Sequence, residues 1–256
     1  MKLAICNDHE NVSLKLADWS SLGPEIEIDV YGDFLNEGAE LAERLLPYDI
    51  LVIMRERTPF PQSLIEGLSR LRLLVTTGPK NRGIDLEACR DRGIVVCGTE
   101  SSRTAPAELA WALILSTVRR IPQHDQALRK GIWGDSIGSS LHDKVLGVVG
   151  LGKLGKQVAR VGLAFGMKVV AWSQNMTGEQ AAEAGAVRGN SIAGAGLDAF
   201  DIEPLPHDHP FLSLSNTVLT PHIGYVMEDS FRTYFTQAKE DVAAWLAGKP
   251  IRVLEE

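Results

Sequence analysis

No apolar run in this sequence approaches the roughly 18 residues that a membrane-spanning helix needs, so no membrane partner is expected. Clustered Lys and Arg are missing too: 26 basic residues stand against 33 acidic ones, a formal charge of −7. Duplex nucleic acid requires a basic face, so it is not an expected partner, and the acidic balance speaks mainly to solubility. Cysteine is scarce. Cys6, Cys89 and Cys97 are odd in number and no pair has metal-ligand spacing, which leaves no case for a disulfide framework or a metal site. Each sits in or beside an apolar run and reads as a small buried hydrophobe. Met1-Lys2-Leu3-Ala4-Ile5-Cys6 turns polar at Asn7-Asp8, too short a stretch for a secretory signal. A reduced, cytoplasmic protein is expected. Internal repeats and low-complexity tracts are also absent.

What is present is an ordinary globular composition, 45% apolar and 23% charged over 256 residues, enough for one large or two small domains. The first hundred residues alternate two patterns. Short runs rich in Val, Ile and Leu fall at Leu3–Cys6, Ile26–Tyr31, Asp49–Met54, Leu71–Thr76 and Ile94–Cys97. Helix-like stretches lie between them, near Asn11–Trp19, Glu37–Leu46, Gln62–Leu68 and Asp85–Asp91. Strand–helix alternation of this kind predicts a parallel sheet with helices on both faces, an α/β fold.

A long helix is predicted from about Thr104 to Ile121, with Pro106 in its first turn and Glu108 placed for the positive end of its dipole. Leu109, Trp111, Ala112, Leu113, Ile114, Leu115 and Val118 make it apolar on most sides. A helix without a wet face is expected at a domain or subunit interface rather than simply buried in a core. Gly131–His142 reads as a loop. A second α/β pattern runs from Lys144 to about Gly224, and Glu228–Leu246 is helical, with Phe231, Phe235, Ala238, Val242 and Trp245 on one stripe.

The strongest local motif is Val145-Leu146-Gly147-Val148-Val149-Gly150-Leu151-Gly152-Lys153-Leu154-Gly155. It places G-x-G-x-x-G at Gly150, Gly152 and Gly155, after an apolar strand, at the start of a helix over Lys153–Phe165 and before a further strand, Met167–Trp172. That is the context of a dinucleotide-binding turn. Gly150 permits the tight turn, Gly152 lets the backbone approach a pyrophosphate, and Gly155 permits close helix–strand packing. The unpaired amides at the helix start, around Lys153 and Leu154, face the phosphates. The cofactor is therefore NAD or NADP. The position that usually carries a ribose-binding acid falls at Ser173, followed by Gln174 and Asn175. No carboxylate repels a 2′-phosphate there, which tips the choice towards NADP, yet no arginine stands there to bind one.

Together with this turn, Gly194-Ala195-Gly196-Leu197-Asp198-Ala199-Phe200-Asp201-Ile202-Glu203-Pro204-Leu205-Pro206 and Leu219-Thr220-Pro221-His222-Ile223-Gly224 resemble the D-isomer-specific 2-hydroxyacid dehydrogenase family. Leu74-Val75-Thr76-Thr77-Gly78, Gly83-Ile84-Asp85 and Ala107-Glu108-Leu109-Ala110 extend the resemblance over nearly the whole chain. It implies two doubly wound parallel-sheet domains: a flavodoxin-like substrate domain, residues 1–101 plus 226–256, and an inserted Rossmann NAD(P)-binding domain, residues 102–225, with the active site in the cleft between them. Members of the family are usually dimers, and the resemblance implies a homodimer with the helix near 104–121 at the interface.

The resemblance carries the acid/base role to His222 and its carboxylate partner to Glu203. Hydride transfer between nicotinamide C4 and the substrate's C2 demands a proton on the carbonyl oxygen, and an imidazole can hold one near neutral pH. A carboxylate on its other nitrogen fixes the tautomer. By the same resemblance, backbone amides of the loop Gly78-Pro79-Lys80-Asn81 hold the substrate carboxylate, although Pro79 has no amide hydrogen to give. Arg55, in Met54-Arg55-Glu56-Arg57-Thr58-Pro59, either faces the substrate or lies on the surface.

One segment of the family pattern has no counterpart. After Trp172-Ser173-Gln174-Asn175, a helix-like stretch over Thr177–Ala184 and Gly185–Ile192 lead straight into the Glu203 motif. In the family roughly sixty residues intervene, the size of two strand–helix units, and they carry an Asn-x-Ser-Arg-Gly motif whose arginine polarises the substrate carbonyl and grips its carboxylate. Nothing here matches it; Arg188 lies near the junction without its motif. The absent strands would sit beside Val145–Val149. Ile192–Leu197 must then pair with that strand directly, or an edge stays open, so the Rossmann domain is expected to be shortened.

The expectation is an oxidoreductase that moves a hydride between NAD(P) and a D-2-hydroxy acid or 2-oxo acid. Its rival is a catalytically impaired nucleotide-binding or dimerising remnant of such an enzyme. Another Rossmann enzyme, such as one using S-adenosylmethionine, is disfavoured by the His222 and Glu203 motifs.

Overall fold

The five short apolar runs of the first hundred residues become strands: β1 (Lys2–Ile5), β2 (Glu27–Val30), β3 (Ile50–Ile53), β4 (Leu73–Thr76) and β5 (Val95–Gly98). The computed structural model describes residues 1–33, 38–102, 104–134, 136–172 and 195–255. In it the chain divides into two compact units, Met1–Ser102 with Met227–Glu256, and Arg103–Val226.

The first unit is built on one parallel sheet in the order β2-β1-β3-β4-β5. This is the doubly wound arrangement in which the strand order reverses beside β1, and the carboxyl ends of the strands there form the natural ligand edge. Every residue of β3 and β4 is buried, as a strand covered on both faces requires. Between the strands lie α1 (Ser13–Leu16), α2 (Ala39–Leu45), α3 (Gln62–Gly67) and α4 (Leu86–Asp91), the last capped by Asp85, whose carboxylate accepts from Ala88 N at 2.9 Å.

The stretch expected to be helical over Asn11–Trp19 yields only the four residues of α1 and then a 3₁₀ turn over Trp19–Leu22. The Trp19 indole donates to the Ser13 carbonyl at 3.0 Å and so takes the acceptor that a further helical turn would use.

The C-terminal stretch also belongs to this unit. Its helix over Glu228–Leu246 buries Phe231, Tyr234, Phe235, Ala238 and Val242; Trp245, expected on the same stripe, is only half-buried. The residues after the helix run antiparallel to β5, with Gly98 N donating to Arg252 O at 3.0 Å and Leu254 N to Val96 O at 2.8 Å. That covers the sheet edge, which would otherwise be an open template. Arg252 is held by the buried Asp241, Nε to Oδ1 at 2.9 Å.

The second unit opens on α5 (Ala105–Arg119), whose Trp111 stacks on Phe165 with ring centroids 5.2 Å apart and donates Nε1 to Val158 O at 3.1 Å. The helix does not run to Ile121 as expected. Arg120 turns left-handed, φ 54, and a separate helix, α6 (Ile121–Arg129), follows. Pro122 has no amide for the Val118 carbonyl, which accepts from Ser139 N instead, at 3.0 Å.

Next come β6 (Val145–Val149), α7 (Lys153–Ala164) and β7 (Lys168–Trp172), a parallel β–α–β unit, and then β8 (Ala195–Leu197) parallel to β9 (Thr217–Leu219). The expected pairing of Ile192–Leu197 with Val145–Val149 is not made: Ala195–Leu197 pairs with β9, and Ile192 lies outside the described residues. Among the described residues β6 pairs with β7 alone. β8 instead meets α5 so closely at Leu113 that a side chain on Gly196 would not fit. On its other edge β6 has no strand partner among the described residues, and Val145 is 52% and Val149 81% exposed.

The helix numbered next in chain order is the C-terminal one, α8 (Glu228–Leu246).

Candidate active site

The end of β6 and the start of α7 form the glycine turn. Gly150 sits at φ 88, a conformation that suits glycine and strains other residues. A Cβ on Gly155 would collide with the Gly150 carbonyl and stand 3.2 Å from Val148 Cγ1, so helix and turn touch only because that residue is glycine. Gly152 caps α7 in an extended conformation, and nothing lies within 4 Å of where its Cβ would be. Lys153 and Leu154 are exposed. Their amides and that of Gly155 precede the first helical bond, Lys156 N to Gly152 O at 3.0 Å. Such amides have no partner inside a helix, and no acidic residue in the first turn opposes an anion. The turn thus offers an uncovered cradle that fits a dinucleotide's pyrophosphate. Ser173 and Gln174 lie outside the described residues.

A second constellation follows β8 and β9. His222 Nδ1 lies 2.8 Å from Glu203 Oε2, while Glu203 Oε1 accepts from Phe200 N at 2.9 Å. The imidazole meets the Tyr225 ring edge-on at 5.6 Å between centroids, and its side chain is 43% exposed. Among the described residues its Nε2 has no hydrogen-bond partner. With Nδ1 committed to a carboxylate, Nε2 is left to exchange a proton with a ligand.

The loop that presents His222 is held by a residue the motif contained but sequence reasoning did not single out. Asp198, just past β8, accepts from Thr220 Oγ1 at 2.7 Å and Ile223 N at 2.8 Å through Oδ1, and from Gly224 N at 2.9 Å through Oδ2. These bonds bracket His222 on both sides and fix it at φ 54. The available signal was a carboxylate directly after a strand, in the same motif as Glu203.

In the first unit the substrate-loop residues gather at the carboxyl ends of β3, β4 and β5. Gly78, at φ 98, donates its amide to Thr99 Oγ1 at 2.8 Å. That amide is therefore engaged, and Pro79 has none. Lys80 and Asn81 retain backbone amides with no acceptor among the described residues. Arg55 settles between its two expected placements: it is half-buried, and its guanidinium occupies the space a side chain on Gly78 would take. Glycine at 78 is thus required by its backbone angle.

The cysteines are free and buried. Burial pushes the thiols of Cys6 and Cys97 up to about 12 and that of Cys89 up to about 11, so they are inert. No cluster of metal-ligating residues occurs among the described residues, and no helix there is long and apolar enough to cross a membrane.

Comparison with known proteins places these parts. The model of the D-isomer specific 2-hydroxyacid dehydrogenase NAD-binding domain matches residues 111–189 and 179–224. A solved structure named as a D-3-phosphoglycerate dehydrogenase oxidoreductase of Ralstonia solanacearum is 30% identical, with a TM-score of 0.83 over 98% of this chain and 96% of that one. The D-3-phosphoglycerate dehydrogenase of Methanocaldococcus jannaschii is 27% identical over 274 residues, 82% of this chain and 52% of the relative. The glyoxylate reductase of Pyrococcus furiosus is 28% identical over 274 residues, 79% of this chain and 81% of the relative.

The chain belongs to the D-isomer specific 2-hydroxyacid dehydrogenase family, and it carries that family's NAD-binding domain. It spans about half the length of the Methanocaldococcus relative. Since 82% of 256 residues is about 210, the 274-residue alignment leaves about sixty positions of that relative without a counterpart here.

Proposed function

We propose that the protein is an NAD(P)-dependent oxidoreductase acting on the CH–OH group of small D-2-hydroxy acids and, in reverse, on 2-oxo acids. The observation that carries this reading is the 2.8 Å contact between His222 Nδ1 and Glu203, with Nε2 left open on a loop clamped by Asp198. The Gly150–Gly155 turn holds the cofactor's pyrophosphate through the amides of Lys153, Leu154 and Gly155. When bound, the reduced nicotinamide supplies the hydride. His222 gives its Nε2 proton to the carbonyl oxygen of the 2-oxo acid as that oxygen becomes an alcohol, and Glu203 steadies the imidazole in the required tautomer. In the oxidative direction the neutral imidazole takes the proton back. Arg55 and the amides of Lys80 and Asn81 attract the substrate carboxylate.

The remaining parts of the reading are a cytoplasmic location, consistent with three free cysteines, and a homodimer built on α5. A groove of about 430 Å³ lined by Leu109, Leu113, Ile114 and Val118 leaves an apolar face of that helix to a second copy.

Mixing the purified chain with NADH or NADPH and glyoxylate or hydroxypyruvate tests the proposal; loss of nicotinamide absorbance is expected. A second reading, a nucleotide-binding remnant, draws on β6 having a single strand partner among the described residues. Saturable NAD(P)H binding with no absorbance loss in the same assay would decide for it and against the dehydrogenase.

A further inference from the structure

The dehydrogenase reading needs a cation for the substrate carboxylate, and in the first unit Arg55 is the residue placed for it. Its backbone stands in the left-handed region, φ 47, which a residue with a side chain rarely occupies unless its surroundings hold it there. They hold it at both ends: the Arg55 amide donates to Thr77 Oγ1 at 3.1 Å, and the Arg55 carbonyl accepts from Asn81 Nδ2 at 2.6 Å. The guanidinium then lies beside Gly78, with Glu56 Oε2 3.7 Å from Nε and 30% of the side chain exposed. Asn81 itself is 7% exposed. Its Nδ2 also donates to Thr76 Oγ1 at 2.8 Å, and its Oδ1 accepts from Gly83 N at 2.8 Å. A backbone carbonyl can only accept and a backbone N–H can only donate, so these partners fix which way the side-chain amide faces. One uncharged side chain therefore ties the turn after β3, the end of β4 and the loop that follows it.

We propose that Asn81 is a positioning residue for substrate binding: its side-chain amide holds the Arg55 backbone left-handed and so keeps the guanidinium beside Gly78 as a preformed carboxylate site. The proposal rests on the dehydrogenase reading and deepens it, because it says which residue aims the arginine that reading uses. A flexible arginine loses side-chain freedom when it binds, and one whose backbone is already set loses less. Asn81 is thus expected to act on substrate affinity, and through Arg55, rather than on the chemical step.

Calorimetry with oxamate, a non-reducible 2-oxo acid mimic, on the NADH-saturated protein tests this as a double-mutant cycle. Asn81→Ala should raise the oxamate Kd about tenfold, and the KM for glyoxylate should rise with it while kcat and the NADH Kd stay near their starting values. Arg55→Ala should lose about a hundredfold in oxamate affinity. In that background Asn81→Ala should cost little more, since the residue it positions is gone. Thr76→Val guards against a first variant that fails to fold. It removes the second acceptor of Nδ2 at nearly constant volume, should raise the oxamate Kd about threefold, and should likewise lose its effect once Arg55 is absent. A purely structural role would lower thermal stability and leave neither the KM split nor the dependence on Arg55.

Asn81→Ala protein that binds oxamate as the unsubstituted chain does, or a loss of the same size with and without Arg55, overturns the inference. Where Asn81→Ala does not fold, the same two results for Thr76→Val overturn it. In both cases the unsubstituted chain still binds oxamate and reduces glyoxylate, so the dehydrogenase reading stands. An unsubstituted chain that does neither overturns that reading and the inference with it.

Discussion

The two units start from the same kind of sequence, short aliphatic runs alternating with amphipathic stretches, and finish differently. In the first, five strands form one sheet and its central strands β3 and β4 are buried throughout. In the second, the described strands form two separate parallel pairs, and Val149 of β6 is 81% exposed. A parallel strand draws its stability from neighbours on both edges and helices on both faces, and among the described residues no strand of the second unit has more than one strand neighbour. Yet its functional loops keep their shape, because each is closed locally. Asp198 ties Thr220, Ile223 and Gly224 around His222, and Gly155 seats α7 on the Gly150 turn. The fully buried strands lie in one unit, and the His222–Glu203 pair lies in the other.

The hardest test of that division is His222→Asn. Removing a general acid typically costs about 10²–10⁴-fold in rate. The expected outcome is a kcat reduced to that extent, with NADH binding by fluorescence and hydrogen-exchange protection over residues 1–102 unchanged. A variant that keeps its activity would move the chemistry away from the second unit.

The division is broken from the other side by truncating each unit's apolar residues. Phe60 is fully buried beneath the first sheet, and Phe60→Ala should cost about 3–5 kcal/mol. Val149→Ala, at an exposed position at the end of β6, should stay within about 0.5 kcal/mol. Hydrogen exchange read separately over the two units measures both. Equal costs would mean that the second unit buries β6 after all.

Much of this contrast was legible in the sequence, and its failures are instructive. The five strands of the first unit lie within two residues of the apolar runs that announce them, and β3 and β4, buried on both faces, carry no charged residue to blur their limits. His222 and Glu203 fell within recognisable motifs and meet at 2.8 Å. What the sequence hid were contacts made across the chain. Asp198 shows no periodicity that marks it as a clamp, and the Gly78 amide is consumed by Thr99, twenty-one residues away. The break of the long helix at Arg120 could have been read from Pro122. The partner of Ala195–Leu197, a contact across the chain, could not.

A smaller effect sharpens the role of glycine in the second unit. Gly155→Ala places a methyl group against the Gly150 carbonyl, and overpacking of this kind costs about 1–3 kcal/mol. The strain falls on the turn itself, so NADH affinity should fall more than the melting temperature of the protein. Gly152→Ala is the control. Its Cβ meets nothing in the protein, so stability should hold while cofactor affinity drops, as expected if open space there is reserved for a phosphate.

The mildest perturbation returns to the first unit and to pH. Burial raises the Asp241 carboxyl from 3.8 to about 7 even though Arg252 pulls it down. Between those values the folded chain holds a proton that the unfolded chain releases. The folded state therefore binds more protons, and linkage makes stability fall as pH rises through that window. The contribution is complete below about pH 4 and gone above about pH 7. Asp241→Asn keeps an acceptor for Arg252 and cannot ionise, so its stability should lose this slope and overtake that of the unsubstituted chain near pH 7. Denaturant midpoints measured from pH 4 to pH 8 read the difference. The loss should appear first in the antiparallel segment that Arg252 holds against β5, where Gly98 N and Leu254 N donate across the sheet edge. Parallel curves for the two proteins would place the Asp241 proton elsewhere and leave the cover of that edge to backbone bonds alone.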